Sequence, residues 1–427
     1  MNTLNCNDKL FDFINSSPSA YHTVDTVKAE LLKNGFSELC EGGAWNLSDG
    51  KGYFVIRNGT SVIAFIYRSA AKGFMIVASH SDSPSFRLKV TPELYGAYTR
   101  LEVEKYGGMI YYSWLDRPLS VAGRILIKTE TGIESKLVNI DRDVAVIPSV
   151  AIHMNRGVND GYKFNPASDL LPLLASSGER DITLDIIAKE LGVDKTAIIS
   201  HDLFLYNRDK GRSVGANGEF ILSPRLDDLE CAFSSLQALL SAGATASVPV
   251  LAIFDNEEVG SETKQGAAST FLNSTLVKIA GEEKYGSMLY NSFMVSADNA
   301  HAKHPNHPEL ADADNAPMLN GGVVIKWNAN QRYATDGVSA AIFGEICKRA
   351  GAKTQNYCNR ADMPGGSTLG SIADTKVSIP TVDIGLAQLA MHSANETAGA
   401  DDVADMISAL TEFYSTSIEH NGDKYDF

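Results

Sequence analysis

Strand-like and helical segments alternate along residues 218–427. Short apolar runs such as SVPVLAIF, FMVSAD, GVVIKW and SIPTVDIG are separated by segments with helical spacing of apolar residues, among them LDDLECAFSSLQALLSAG and VSAAIFGEICKRAG. Such alternation is typical of an α/β fold, in which helices flank a largely parallel sheet. We therefore expect an open, mixed sheet flanked by helices. Functional residues of such sheets lie beyond the carboxyl ends of the strands.

The middle of the chain has a different sequence pattern, which indicates a second domain. Residues 91–217 contain glycine-punctuated, strand-like pieces such as MIYYSWL and GRILIKT, a long irregular region and the helical pattern DITLDIIAKELG. Before them, two helical stretches around SSPSA and the strand-like runs YFVIR, SVIAFIYR and GFMIVAS fit the α/β part. Because 427 residues exceed the usual size of one core, we predict a discontinuous catalytic domain, residues 1–90 and 218–427. Residues 91–217 would be an inserted β-rich domain.

Charge and cysteine usage disfavour several classes of protein. The formal net charge of −15 disfavours nucleic acids and anionic membranes as partners, because both attract clustered Lys and Arg. The five cysteines are scattered and form no CxxC pair, which argues against a disulfide framework and against a thiolate zinc site. The first residues lack a basic segment followed by an apolar one, so we expect a cytoplasmic protein without a signal peptide.

One apolar run ends at two side chains that are suited to a metal site. The segment GFMIVASHSDSP reads as a buried strand that leads into His80 and Asp82. In an extended backbone, residues two apart project to the same face. The pair can therefore be a metal-binding imidazole and the carboxylate that orients it. The alternative is a capped loop, in which Asp82 and Ser83 bond the local backbone.

Carboxylates follow two other predicted elements. Asp227 and Asp228 lie in the first turn of a predicted amphipathic helix, where acidic residues also interact favourably with the helix dipole. Asp255, Glu257 and Glu258 follow the apolar run SVPVLAIF. Three carboxylates this close to a core are costly unless a cation neutralises them, although a solvated acidic loop is the alternative. Of two adjacent glutamates, one can ligate while the other acts as a base.

Histidines and one further aspartate lie near the ends of later strands. Asp298 ends the run FMVSAD and is followed by His301, His304 and His307, but prolines among them break the helix that a ligand face would require. We interpret these three histidines as mostly structural. His392 follows the apolar run SIPTVDIGLAQLA, where a buried or loop histidine without a metal is the alternative.

Together these segments supply two imidazoles and several carboxylates at one edge of the expected sheet. Nitrogen and oxygen ligands of this kind suit two divalent ions such as zinc. Two ions about 3.5–4 Å apart can share a water nucleophile and polarise a carbonyl. Hydrolysis of an amide bond is the chemistry that this set predicts.

The ordered motifs HSDSP, PRLDDL, FDNEEVGS, SADNAHAKHPN, VIKWNANQRYA and LAMHS resemble those of the M18 family of aspartyl-aminopeptidase-like metallopeptidases. The resemblance runs from SPSAYH at residues 17–22 through LAMHS. It implies an aminopeptidase that removes N-terminal residues, acidic ones above all, from peptides. It also implies two zinc ions per subunit, with cobalt and manganese as alternative ions.

The resemblance also assigns roles to individual residues. His80 and Asp298 would each bind one ion, Glu258 and His392 would bind the other, and Asp227 would bridge the two. Asp82 would orient His80 and Glu257 would be the general base, moving a proton from the bridging water to the leaving amine. The implied ligand set is His80, Asp227, Glu258, Asp298 and His392.

Further implied roles concern substrate and assembly. The middle domain resembles a dimerisation domain whose loop carries His153 to a neighbouring active site, where it would stabilise an oxyanion or bind metal; an ordinary loop histidine is the alternative. Similar family members form tetrahedral dodecamers. Lys326 would pair with an acidic substrate side chain, unless it merely ends an edge strand. Tyr333 and Gly366, in the motif MPGGST, would line the substrate site.

One position departs from the family pattern. Members often carry Asn where this chain has Asp228, which places an extra negative charge beside the implied bridging ligand. Metal preference is expected to shift accordingly. Two other functions fit the same residues: a deacylase or dipeptidase with the same pair of ions, and a self-assembling scaffold with a vestigial site.

Overall fold

The structure is a computed structural model that describes residues 3–176 and 180–427. The chain divides into two compact units. The first contains the chain up to Asp82 together with Gly211–Met391 and Glu396–Phe427, and the second contains Ser83–Lys210 and His392–Asn395. No helix in the described part of the chain is both long enough and apolar enough to cross a bilayer.

The α-helices confirm the helical patterns at both ends of the chain and in the middle. In chain order they are α1 (Thr3–Asn15), α2 (Ala20–Lys33), α3 (Pro166–Asp169), α4 (Ile182–Leu191), α5 (Leu226–Ser241), α6 (Phe271–Ala280), α7 (Glu282–Tyr290), α8 (Gly337–Ala350), α9 (Leu369–Val377) and α10 (Asp402–Tyr414). Short 3₁₀ turns cover Tyr111–Trp114, Lys195–Ala197, Glu257–Val259 and Pro308–Leu310.

Among residues 3–176 and 180–427, the strands belong to four sheets. In chain order they are β1 (Ser37–Glu38), β2 (Gly52–Arg57), β3 (Ser61–Ile66), β4 (Phe74–His80), β5 (Ser85–Leu94), β6 (Tyr98–Tyr106), β7 (Leu119–Lys128), β8 (Ile133–Asn139), β9 (Leu173–Ser176), β10 (Ile198–Asn207), β11 (Arg212–Val214), β12 (Phe220–Ser223), β13 (Val248–Phe254), β14 (Phe293–Ala297), β15 (Ala300–His301), β16 (Val323–Trp327), β17 (Thr354–Cys358), β18 (Thr381–Gly385), β19 (Ala387–Leu389), β20 (Glu396–Gly399), β21 (Glu419–Asn421) and β22 (Lys424–Asp426).

The first unit is built on an open, mixed, nine-stranded sheet, as predicted. Its order is β1-β2-β3-β13-β4-β14-β18-β16-β17. The central strands β13, β4, β14 and β18 run parallel to one another, whereas β2 and β3 pair antiparallel. Every residue of β4 and β13 is buried, which agrees with their continuous apolar sequences. A five-stranded sheet, β11-β12-β20-β19-β15, and the hairpin β21-β22 complete this unit.

The two faces of the nine-stranded sheet carry separate apolar cores. Side chains alternate across β4, so that Met75 and Val77 join one core while Phe74 and Ile76 join the other. The first core includes apolar residues of α1, α2, α5, α8 and α10, and the second includes those of α6, α7 and α9. Burial of each large apolar side chain contributes about 1.5–3 kcal/mol. The strand ends are therefore held in a rigid frame.

The second unit has its own antiparallel sheet and core. The six strands follow the order β8-β7-β10-β5-β6-β9, and buried residues such as Phe86, Val121 and Leu203 form its core. We predicted its boundaries at residues 91 and 217, but the compact unit extends over Ser83–Lys210. The difference arises because β5 pairs with β6 and β10 rather than with the nine-stranded sheet.

Candidate metal centre

Three adjacent parallel strands bring the predicted site residues to one edge of the sheet. His80 is the last residue of β4, and it lies opposite Phe254, the last residue of β13. The strand on the other side of β4 is β14, which ends one residue before Asp298. Since β4 lies between β13 and β14, the segments that follow these strands emerge together. This is the edge at which α/β sheets place their sites.

A fourth segment, at the start of α5, contributes Asp227 and Asp228. We predicted both at the first turn of this helix, and the structure confirms that placement, although the turn is irregular. Their φ and ψ angles are non-helical, Arg225 before them is left-handed, and the Asp227–Asp228 peptide is cis. The Asp227 N–H donates to Glu396 Oε2 at 3.0 Å, and Asp228 Oδ2 accepts the N–H of His80 at 3.1 Å. These bonds fix both residues outside the regular helix.

Four buried side chains converge at this point. His80, Asp227, Asp228 and Asp298 each offer one ligand atom, and these atoms all lie within 4.8 Å of one another. His80 Nε2 lies 3.5 Å from Asp227 Oδ1. Asp228 is fully buried, and Asp298 is only 8% exposed. The structure therefore brings together one imidazole and three carboxylates away from solvent.

The turn after β13 brings in two more carboxylates. His80, Glu257 and Glu258 form a second group whose ligand atoms also lie within 4.8 Å of one another. Both glutamates are half-buried in the Glu257–Val259 turn, which follows a left-handed Asn256. Asp255, the third acidic residue of the motif, is engaged elsewhere, because its Oδ2 accepts from Gln265 Nε2 at 3.2 Å.

Asp82 connects the histidine to the glutamate turn. Its Oδ1 accepts the backbone N–H of Glu257, and its Oδ2 accepts that of Glu258, each at 3.2 Å. The His80 ring nitrogen Nδ1 lies 3.0 Å from the Asp82 carbonyl oxygen and 3.4 Å from Oδ1. Holding Nδ1 in this way directs Nε2 towards the carboxylate cluster.

The charges of this cluster fit divalent cations. Burial raises the pKa of the Asp228 and Asp298 carboxyls, and nearby carboxylates add to the effect. Burial and the carboxylates Asp298 and Asp82 raise the pKa of Glu257 to about 8, although His80 opposes them. Burial lowers the pKa of His80, but Asp228, Asp227 and Asp82 outweigh it and raise that pKa well above its usual value. Carboxylates packed this closely away from water are stabilised by bound positive charge, and nitrogen and oxygen donors suit zinc.

The predicted substrate residues are Lys326, which contacts Asp298, Tyr333, which lies near Lys326, and Gly366, which is exposed. Lys326, in β16, is 2% exposed, and its Nζ donates to Asp298 O at 2.6 Å and to Asn299 O at 3.2 Å. It also lies 3.7 Å from Asp298 Oδ1 and 5.2 Å from the centre of the Tyr333 ring. Gly366 is exposed, and a Cβ added there would meet open space.

The other histidines singled out from the sequence lie in several different segments of the chain. His392 belongs to the short segment that groups with the second unit, and its Nδ1 lies 2.8 Å from Gly108 O in that unit. A ring held through Nδ1 presents Nε2 as its ligand atom. His153 is exposed in a loop of the second unit. His304 and His307 contact each other and, like His301, belong to none of the ligand groups found among the described residues.

Two residues near the cluster received no ligand or positioning role in the sequence analysis. Asp228 was considered beside Asp227 and then interpreted as an extra negative charge, but it is a full member of the four-residue group. Asn299, which was not singled out, is 3% exposed, and its side chain bonds several segments around the site.

Comparison with known proteins relates this site to a family. A family model described as Aminopeptidase I zinc metalloprotease (M18) matches residues 13–414. Probable M18 family aminopeptidase 2 of Clostridium acetobutylicum is 46% identical to this chain, covering 97% of this chain and 99% of that protein. The protein of the same name from Pseudomonas aeruginosa is 38% identical and covers 96% and 98%.

Solved structures give the same relationship. The mApe1 structure of Chaetomium thermophilum has a TM-score of 0.87 and 29% identity, covering 97% of this chain and 98% of that one. The mApe1 dodecamer of S. cerevisiae has a TM-score of 0.85 and 29% identity, covering 97% of each chain. The chain belongs to the M18 family, and it is a zinc aminopeptidase, a hydrolase of peptide bonds.

Proposed function

We propose that this aminopeptidase holds two zinc ions per subunit and removes acidic residues from the N-termini of peptides. The observation that carries the proposal is the convergence of His80, Asp227 and Asp298 beside the glutamate pair Glu257 and Glu258. Cobalt and manganese are alternative ions, since oxygen-rich sites accept both. When bound, such a pair of ions activates a water molecule and polarises the scissile carbonyl.

The proposed ligands divide between the two ions. His80 and Asp298 would hold the first, Glu258 and His392 would hold the second, and Asp227 would contribute to both. Support for the first set comes from its burial and from the 3.5 Å separation of His80 Nε2 and Asp227 Oδ1. Support for His392 comes from the family motif and from the Nδ1 contact that orients its ring.

Glu257 is the proposed general base. Its carboxylate takes a proton from the attacking water and passes it to the leaving amine, a role that requires a carboxylate within hydrogen-bond reach of that water. The geometry supports this assignment because Glu257 is half-buried and its backbone is held by Asp82. Asp82 would keep both His80 and the glutamate turn in place during turnover.

Lys326 is the proposed origin of the preference for acidic residues. A substrate carboxylate can pair with a buried ammonium, whereas an apolar substrate residue leaves the ammonium without a substrate charge to pair with. An acidic residue is therefore preferred. Its present partners are two backbone carbonyls and the more distant Asp298 carboxylate. Tyr333, whose ring lies beside Nζ, and Gly366, which leaves open space, would line the rest of the substrate site.

We also propose a homo-oligomer in which the second unit forms dimers and twelve subunits form a tetrahedral shell. The S. cerevisiae relative is a dodecamer. The second unit exposes large apolar side chains, with Val90 93% and Met154 82% exposed, and contacts between subunits would cover them. His153, next to Met154, would then reach the active site of a neighbouring subunit. Mass photometry tests the assembly: twelve subunits support it, and a monomer contradicts it.

One assay tests the proposed activity. Peptides that begin with Asp, Glu, Ala, Leu or Lys, together with N-acyl amino acids, are incubated with enzyme loaded with zinc, cobalt or manganese. We expect fastest release of Asp and Glu, and no deacylation. Faster cleavage of N-acyl amino acids would favour a deacylase, and bound metal without any turnover would favour a scaffold.

A further inference from the structure

Asn299 lies next to the proposed ligand Asp298, and its side chain points into the protein. It is 3% exposed. Its Nδ2 donates to Leu226 O at 3.2 Å, to Glu230 Oε2 at 3.1 Å and to Gln388 Oε1 at 2.9 Å. Its Oδ1 accepts from Cys231 Sγ at 3.2 Å and from the Leu386 N–H at 3.2 Å. Both ends of one carboxamide are therefore engaged.

These bonds connect three segments that approach the site. Leu226 immediately precedes Asp227 and Asp228, so the bond to its carbonyl anchors the irregular start of α5. The bonds to Leu386, which lies between β18 and β19, and to Gln388 in β19 anchor this part of the chain. The backbone carbonyl of Asn299 also accepts from Lys326 Nζ, which adds β16 to the connection.

A carboxamide suits this position better than other side chains of its size. Its two N–H groups serve three oxygen acceptors, so that one N–H is shared, and its oxygen accepts from a backbone N–H and a thiol. Neither a carboxylate nor an apolar side chain can both donate and accept in this way. Removing it would leave Glu230 Oε2, Gln388 Oε1 and the Leu386 N–H buried without this partner, and buried polar groups are costly to leave unpaired. The chain segments would move to find other partners.

We propose that Asn299 is a positioning residue, which sets the separation of the Asp298 and Asp227 carboxylates and thereby the affinity of the site for zinc. The inference rests on the proposed two-zinc function. It predicts a specific defect: weaker zinc binding in a folded protein, with little change in KM once the metal is saturating. Residues that support metal ligands typically change metal affinity by about 10–100-fold when they are replaced.

The test compares Asn299→Ala with a matched control, Asn7→Ala. Asn7 is 2% exposed in the same unit, and its Nδ2 donates to Ala400 O at 2.9 Å. Zinc affinity is measured by competition with a chromophoric chelator, and the thermal midpoint of the metal-free protein is measured separately. We expect both variants to lose thermal stability, but only Asn299→Ala to lose zinc affinity, by about 10–100-fold.

Unchanged zinc affinity in folded Asn299→Ala, or an equal loss in Asn7→Ala, would overturn the inference while leaving the proposed function intact. Failure of the wild type itself to bind zinc would overturn both. If metal-free Asn299→Ala shows no cooperative transition, the same titration on Gln388→Met decides, because it removes one acceptor only. A smaller loss of zinc affinity there supports the inference, and wild-type affinity contradicts it.

Discussion

Asp82 Oδ1 accepts the backbone N–H of Glu257 at 3.2 Å, so one carboxylate supports the proposed general base. The other oxygen accepts the N–H of Glu258, and the same residue contacts the His80 ring. Loss of this carboxylate would free the glutamate turn and the imidazole together. We predict that Asp82→Ala lowers zinc affinity by about 10–100-fold and also lowers kcat at saturating zinc.

The measurement is a chelator competition beside steady-state kinetics, with Asp8→Ala as control because Asp8 is exposed on α1. Asp82→Asn retains one acceptor oxygen and should fall between the wild type and Asp82→Ala. Wild-type zinc affinity in Asp82→Ala would show that the contacts of Asp82 do not support the site.

Replacement of Glu257 separates metal binding from proton transfer. We predict that Glu257→Gln keeps its zinc but loses about 10²–10⁴-fold in kcat, because the amide cannot accept a proton from water. Metal content is measured by elemental analysis and turnover by amine release. The matched control is Glu262→Gln, an exposed glutamate five residues on, which should behave as wild type. Near-normal turnover in Glu257→Gln would remove this residue from the mechanism.

Lys326 makes a prediction about specificity. Lys326→Met keeps a side chain of similar length but removes the charge, so the ratio of kcat/KM for Asp-peptides to that for Ala-peptides should fall towards one. The variant should also unfold at lower temperature, because Asp298 loses a buried cation. Lys284→Met, at an exposed site on α7, is the control. An unchanged Asp-to-Ala ratio would show that Lys326 serves Asp298 and not the substrate.

The buried carboxyl group of Asp402 should make the folding stability depend on pH. Burial raises its pKa to about 6, although the N–H groups of Gly322 and Asn320 oppose this. A carboxyl with a raised pKa binds protons more tightly in the folded state, so folding stability falls as pH rises from about 4 to about 6. Two pKa units correspond to about 2–3 kcal/mol.

Asp402→Asn cannot titrate, which makes it the reference for this effect. Thermal midpoints of both metal-free proteins are measured from pH 4 to pH 7, so that zinc release does not contribute. The wild type should lose stability relative to the variant as pH rises through this window, and the difference should then level off. A constant difference between the two proteins would contradict the raised pKa.

The sequence predicted the strand ends well because their signals are local. A short continuous apolar run such as that of β4, flanked by helices and turns, is readily predicted as a buried strand. Because β4 and β14 are parallel neighbours, the ends of these strands place His80 and Asp298 near each other. The predicted position of the boundary between the two units was less accurate. Polar and apolar residues alternate along β5, a pattern that suits a strand of either sheet. Its partners are set by tertiary packing, which the local pattern does not contain.

The start of α5 shows a second limit of local reasoning. Asp227 and Asp228 lie at the first turn of the helix, as predicted, but the local sequence pattern does not indicate that this turn is irregular. Asp227 donates its N–H to Glu396, and Asp228 accepts the N–H of His80; these partners are distant in sequence and hold the two aspartates in a non-helical conformation. The burial of Lys326 likewise depends on contacts that are distant in sequence. A lysine at the end of a strand is usually exposed, but Asp298 and two carbonyl groups make its burial favourable.

The most direct test is reconstitution of the metal-free enzyme with zinc, with bound metal and aminopeptidase activity followed in one titration. We predict that activity on an Asp-peptide rises to a plateau at two zinc ions per chain. His80→Ala, which removes an imidazole that belongs to two of the ligand groups, should bind fewer ions and stay inactive. Full activity without zinc would contradict the account. So would a plateau of activity reached while no zinc is bound at these residues.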